Sequence, residues 1–318
     1  MLLRTLLIVS LIALISFPQS SQADELDKNC QYKCTTIANC PSARQKTLLG
    51  APVKLCNTID TLVCCEESPK PKTIAEKKCN EYSHLAYLHK PTELGTHVAN
   101  EVSFLVSVQN EKGRHMCGGT LISDEYVMTA EHCFDNFNGN ISVLLESYDK
   151  ADKNAFLINA TPIRHPKYGD EDVYADLALL KLDQKINFVH NIRPACLPFE
   201  NHLRFTNLAT AWIWNNGSDL SQVHSIQVNL TDGRPCPDDF NRSAQICAIP
   251  IKSKICAGNS GNPVFQTHSK SIDRSYQIVG IISQGVPCYF GIEMHSLLTN
   301  ISYYLDWIEK VVWPNETL

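Results

Sequence analysis

After its first two dozen residues, this 318-residue chain has no apolar run long enough to cross a bilayer, so no internal membrane-spanning helix is expected. It also lacks long blocks of like charge. Its 28 Lys and Arg against 33 Asp and Glu leave a net charge of −5 spread along the length. That distribution argues against a nucleic-acid partner recruited by bulk charge. No Cys-x-x-Cys spacing and no clustered set of metal ligands stands out, so neither a metal nor an organic cofactor is expected.

Cysteine and an apolar leader are what the chain does have. Arg4 precedes a short apolar run from Leu6 to Phe17, and Ser21-Gln22-Ala23 offers small residues for cleavage. Residues 1–23 therefore read as a secretory signal, with Asp24 opening the mature chain. A membrane anchor is the rival reading, and the shortness of the run weighs against it. Fourteen cysteines, an even number, fit complete pairing in an oxidising compartment. A secreted, extracellular protein is expected, with no membrane attachment. Sequons at Asn140, Asn159, Asn216, Asn229, Asn241 and Asn315 agree with this, each needing surface exposure for use. A seventh, at Asn300, precedes a predicted helix where burial would block it.

The cysteines fall into two regimes. Cys30, Cys34, Cys40, Cys56, Cys64 and Cys65 crowd into residues 28–66. A module that small cannot bury enough apolar surface alone, so cross-links must hold it. Six cysteines allow fifteen pairings, and spacing does not choose among them. A zinc site is the rival, disfavoured by the oxidising compartment. Residues 67–91 read as a linker, kept extended at its start by Pro69-Lys70-Pro71. Cys79 needs a distant partner. From about Gly95 onward, short apolar segments alternate with turns. Val102–Val108, Gly119–Ser123, Ile141–Leu145, Leu177–Leu182 and Tyr276–Ser283 read as strands. Ile301, Tyr304, Leu305, Ile308 and Val312 recur at helical spacing and predict one amphipathic C-terminal helix. Many strands and one late helix suggest an all-β barrel pair, and the 44% apolar content allows a sizeable core.

Three motifs carry chemistry, in the order His, Asp, Ser. They are Thr129-Ala130-Glu131-His132-Cys133, Asp176-Leu177-Ala178-Leu179-Leu180, and Ile255-Cys256-Ala257-Gly258-Asn259-Ser260-Gly261-Asn262-Pro263. They resemble the histidine, aspartate and nucleophile segments of chymotrypsin-like serine proteases over about residues 92–312. The resemblance implies a double β-barrel with a C-terminal helix and a catalytic triad of His132, Asp176 and Ser260. In such a triad Ser attacks, His takes and returns the proton, and Asp fixes the imidazole tautomer. It also implies an oxyanion hole at the backbone N–H groups of Gly258 and Ser260. The implied disulfides of this region are Cys117–Cys133, Cys236–Cys247, Cys256–Cys288 and Cys79–Cys196. The N-terminal pattern, ending in the adjacent pair Cys64-Cys65, resembles the clip domain of arthropod serine proteases. That implies Cys30–Cys64, Cys34–Cys56 and Cys40–Cys65.

The chain departs from the family's pattern where that pattern is switched on. The acid before the nucleophile is Asn259, and the expected activation region reads Lys90-Pro91-Thr92-Glu93-Leu94-Gly95, a poor cleavage bond with no Ile or Val to open a new terminus. The freed ammonium and its buried carboxylate are thus missing together. A stranded buried charge costs several kcal/mol, so losing both is self-consistent. The nucleophile loop is then expected to be slack, unless Asn259 hydrogen-bonds locally and sets it without a switch. In the specificity pocket, Lys254 stands where tryptic members carry an acid. Gly285, in Ser283-Gln284-Gly285, keeps one wall glycine, Gln284 replaces the usual Trp, and Ser296 replaces the other glycine. Lys254 would repel basic side chains unless it turns to solvent. Ala211-Trp212-Ile213 replaces Gly-Trp-Gly, and the added side chains are expected to crowd the backbone.

The resemblance therefore implies a secreted clip-domain homologue with weak or no turnover. It would bind protein partners (a protease, a zymogen or prophenoloxidase) in an extracellular immune or melanisation cascade. The alternatives are an active endopeptidase with a non-tryptic pocket and a structural adhesion module.

Overall fold

The computed structural model describes residues 30–40, 42–43, 46, 52–56, 62–65, 71–88, 103–145, 156–169, 174–188, 192–198, 208–214, 223–231, 236–237, 241–256, 258–267, 276–285 and 295–318. The expected signal segment, the region 90–95, Asn216 and Cys288 lie outside the described residues. The chain divides into two compact units, Met1–Glu67 and Ser68–Leu318.

In the first unit, β1 (Lys33–Thr35) pairs antiparallel with β2 (Val63–Cys65), Cys34 opposite Cys64. Among the described residues its buried apolar cluster is small, built from Cys40, Ala43, Val53 and Val63. Three disulfides, Cys30–Cys64, Cys34–Cys56 and Cys40–Cys65, cross-link it. A module of about forty residues cannot offset chain entropy unaided, and the disulfides reduce that entropy in the unfolded chain.

The second unit opens with a helix, not an extended linker. Helix α1 (Ile74–Leu88) occupies most of residues 67–91. Thr73 and Glu76 explain it. The Thr73 hydroxyl accepts from the Glu76 N–H at 3.0 Å, and the Glu76 carboxylate accepts from the Lys72 N–H at 2.7 Å. The first bond satisfies a donor that a helix start leaves open, and the second ties the preceding residue back onto the first turn. Cys79–Cys196 and an edge-on contact of Tyr82 with Phe188 dock α1 on the body.

Two closed six-stranded barrels follow. The first contains β3 (Leu105–Asn110), β4 (His115–Leu121), β5 (Tyr126–Thr129), β6 (Ile141–Leu145), β7 (Phe156–Arg164) and β8 (Ala178–Leu182) in the cyclic order β3-β4-β5-β8-β7-β6. The second contains β9 (Leu208–Trp214), β10 (Val223–Thr231), β11 (Gln245–Pro250), β12 (Pro263–Thr267), β13 (Tyr276–Gln284) and β14 (Ser296–Asn300) in the order β10-β11-β14-β13-β12-β9. Strand period sets which side chains fill them: in β10, Ile226, Val228 and Leu230 are buried while Ser225, Gln227 and Asn229 are exposed. Closure leaves no unpaired sheet edge. The fold is all-β and chymotrypsin-like, with helix α2 (Ile301–Val312) at its end. Asn300 caps α2 by accepting from the Ser302 N–H at 3.2 Å, and Ile301, Tyr304, Ile308 and Val312 face the core. Ala211 and Ile213 do not disturb β9. They pair regularly with β10 and their side chains fill the second barrel's core. Among the described residues, no helix is long and apolar enough to cross a membrane.

Candidate active site

The site lies where the barrels meet. His132 sits on a short 3₁₀ turn, Glu131–Phe134, that follows β5 of the first barrel. Asp176 lies two residues before β8, and Ser260 three residues before β12 of the second barrel. One backbone bond fastens the halves together at this point: the Gly118 N–H of β4 donates to the Ser260 carbonyl at 2.8 Å. Within the second barrel, the Gly261 N–H donates to the Ile282 carbonyl of β13 at 2.7 Å. Gly261, at φ 79°, lies so close to β4 that a Cβ there would collide with the Gly118 carbonyl and the Thr129 hydroxyl. Only glycine fits both the dihedral and the space.

Asp176 is buried and accepts three hydrogen bonds. The His132 N–H reaches Oδ1 at 2.9 Å, His132 Nδ1 reaches Oδ2 at 2.7 Å, and the Ser283 hydroxyl reaches Oδ2 at 2.5 Å. The Thr299 hydroxyl holds the Asp176 carbonyl at 2.8 Å. Ser283, read from sequence as a pocket residue, thus serves the aspartate. The bond to Asp176 raises the proton affinity of His132 above the ordinary histidine value, against an opposing effect of burial. With Nδ1 donating to Asp176, the Nε2 lone pair is left for a serine proton. Among the described residues no hydrogen bond joins His132 to the Ser260 hydroxyl. Catalytic contacts of this kind often tighten only around substrate.

The nucleophile loop is not slack. Asn259 is 2% exposed. Its Nδ2 donates to the Cys256 carbonyl at 3.1 Å, and its Oδ1 accepts from Asn262 Nδ2 at 3.0 Å. A neutral amide ladder therefore occupies the place where the family's pattern has a charged latch, and Asn259 sets the loop by local hydrogen bonds. On the other side, the His115 ring bridges the Ser107 hydroxyl (Nδ1, 2.8 Å) and the Gly258 carbonyl (Nε2, 3.0 Å). Among the described residues, the N–H groups of Gly258 and Ser260 have no hydrogen-bond partner. These are the two donors that the sequence reading expected of an oxyanion site. Ser107, His115, Asn262 and Thr299 escaped the sequence reading. The signal was faint: polar residues inside otherwise apolar strands, and a second Asn three positions after the first.

The pocket residues are only partly brought together. Gly285 runs so close to the nucleophile segment that a Cβ there would lie 2.9 Å from the Ile255 carbonyl. Ser296 is 1% exposed, and its hydroxyl has no hydrogen-bond partner among the described residues. Lys254 is half-buried, and residues 286–294 lie outside the described residues. Disulfides Cys117–Cys133 and Cys236–Cys247 are present, and Cys256 is disulfide-bonded. Asn140, Asn159, Asn229 and Asn315 are exposed, while Asn241 and Asn300 are half-buried.

Comparison with known proteins agrees with this geometry. Residues 94–308 match the family model described as Trypsin. The chain belongs to the trypsin family. Among relatives of this trypsin-family chain is a CLIP domain-containing serine protease B4 of Anopheles gambiae. It is 26% identical, with 97% of this chain and 98% of that protein covered. Phenoloxidase-activating factor 1 of Holotrichia diomphalia is 28% identical over 62% of each chain. Serine proteinase stubble of Drosophila melanogaster is 29% identical over 61% of this chain and 27% of that protein. The first match extends beyond the trypsin region into the disulfide-rich unit, as a clip-domain serine protease homologue requires.

Proposed function

We propose that this trypsin-family chain is an extracellular clip-domain homologue that binds proteins in a protease cascade and has weak or no turnover. Its partner is a protease, a zymogen or a prophenoloxidase-like protein, a class suggested by the names of its relatives. One observation carries this reading. Asn259, buried in bonds to two neutral groups, gives a freed ammonium no anion to pair with, so the family's usual route from precursor to active enzyme is absent. The disulfide-rich unit and the cleft then serve as binding surfaces. The test is active-site labelling of the purified mature protein with a fluorophosphonate probe. Weak labelling is expected. Strong labelling lost on His132→Ala would overturn the proposal.

A second reading has its own support. The relay from His132 to Asp176 and the two unpaired N–H groups favour an endopeptidase that needs no activating cut. Cleavage in a peptide library, with a preference for acidic residues opposite Lys254, is its signature. A complete absence of cleavage removes it.

A further inference from the structure

Glu131 directly precedes His132 in the chain and has no part in the relay just described. Its side chain is 0% exposed, on the same four-residue turn as His132. Ala130, before the turn, provides no side-chain cap. Support comes from β7 instead. Arg164 Nε lies 3.0 Å from Glu131 Oε1, and Arg164 Nη2 donates to the Phe134 carbonyl at 2.7 Å. One guanidinium thus grips the first and last residues of the turn. Neither Glu131 oxygen has an aligned hydrogen bond among the described residues, so the Arg164 contact is an ion pair off the hydrogen-bonding axis. Arg164 itself is half open to water, at 50% side-chain exposure. A buried carboxylate held this loosely is expensive, and an apolar side chain would fill the same turn without that penalty.

We propose that Glu131 is a positioning residue for His132: buried on the same turn, it clasps that turn through Arg164. The charged and titratable groups facing it are Arg164 from β7, Asp176 from the segment before β8, Tyr168 from the stretch after β7, and His132 and Asp135 on its own segment. Burial pushes the Glu131 carboxyl up to about 7, with Arg164 opposing. His132 is raised chiefly by Asp176, and Asp135 and Glu131 add to that effect. When two ionisable groups interact strongly, their protons come off in steps that belong to the pair. As pH rises, Glu131 ionises, and the new negative charge makes His132 hold its own proton longer. This stands whether or not Ser260 turns over substrate.

The experiment follows the His132 ring protons by NMR titration of the full mature chain, wild type and Glu131→Gln. The wild type should titrate in two coupled steps. Glu131→Gln should give one step displaced to lower pH, and Glu131→Asp should restore the two-step shape. A Glu131→Gln curve superimposed on wild type overturns the proposal. A second measurement needs no variant: the Glu131 side-chain carboxyl carbon in labelled wild type. Its titration together with His132 supports the assignment. Titration in the ordinary glutamate range overturns it. Neither outcome depends on fluorophosphonate labelling, so failure here and failure of the functional reading are distinguishable.

Discussion

Replacing Asn259 by aspartate restores the family's acid without its partner, and the structure sets what should follow. In Asn259→Asp the oxygen facing Asn262 Nδ2 is kept, but the donor to the Cys256 carbonyl becomes a second acceptor. Losing that bond and opposing two oxygens costs about 1–3 kcal/mol. Ionising the carboxyl at a site 2% exposed, with neither of these hydrogen-bond partners cationic, adds to this and brings the total to at least about 3 kcal/mol. A protonated carboxyl can still donate to Cys256, so the penalty depends on pH. Burial, with neither the Cys256 carbonyl nor Asn262 carrying positive charge, raises the introduced group's proton affinity in the fold above its unfolded value of about 3.9. Stability is therefore full below that value and lost as pH rises through the folded value. For a unit of this size, about 3 kcal/mol lowers Tm by about 6–12 °C. Calorimetry should show near-coincident melting of variant and wild type at acid pH and that gap at neutral pH. Fluorophosphonate labelling should not increase. An unchanged or higher Tm at neutral pH, or a gain in labelling, would mean that a cation reaches this loop and that the neutral-latch reasoning is wrong.

Other consequences are separately measurable. Ser283→Ala removes a charge-assisted bond to Asp176, and whatever labelling the wild type shows should fall about 10-fold or more; unchanged labelling would separate Ser283 from the relay. Labelling needs neutral His132, so its rate should climb as pH rises through a midpoint above the ordinary histidine value, and a midpoint below that value contradicts the Asp176 contact. Thr73→Ala deletes the cap of α1 and should lower stability by about 1 kcal/mol, or about 2–4 °C in Tm.

Much of the fold was legible because it rests on periodicity. The strand at Ile141–Leu145 and the helix at Ile301–Val312 coincide with the sequence reading. Other strand ends shift by a few residues, as for β3 and β4, where a bulge at Val108/Gln109 and a turn at Gly113 decide the boundary. Helix α1 was hidden because Pro69 and Pro71 suggested an extended segment, although Thr73 and Glu76 carried the capping pattern directly behind them. At the site, His132, Asp176 and Ser260 were legible as short motifs. The state of the loop was not. Asn259 could be read as a missing charge, but its ladder to Asn262 and the reach of His115 to Gly258 depend on side chains meeting across turns and between barrels. Glu131 was invisible for a related reason: its meaning comes from Arg164, 33 positions away, which β7 brings back beside the turn.

The bond between Cys79 and Cys196 spans 117 positions and encloses the whole first barrel within one covalent ring. A single nick anywhere inside that ring leaves the two pieces attached, so scission would show on a gel only after reduction. The ring also bars the segment bearing His132 from drifting away from the half bearing Ser260, which favours rejoining over dispersal after local melting.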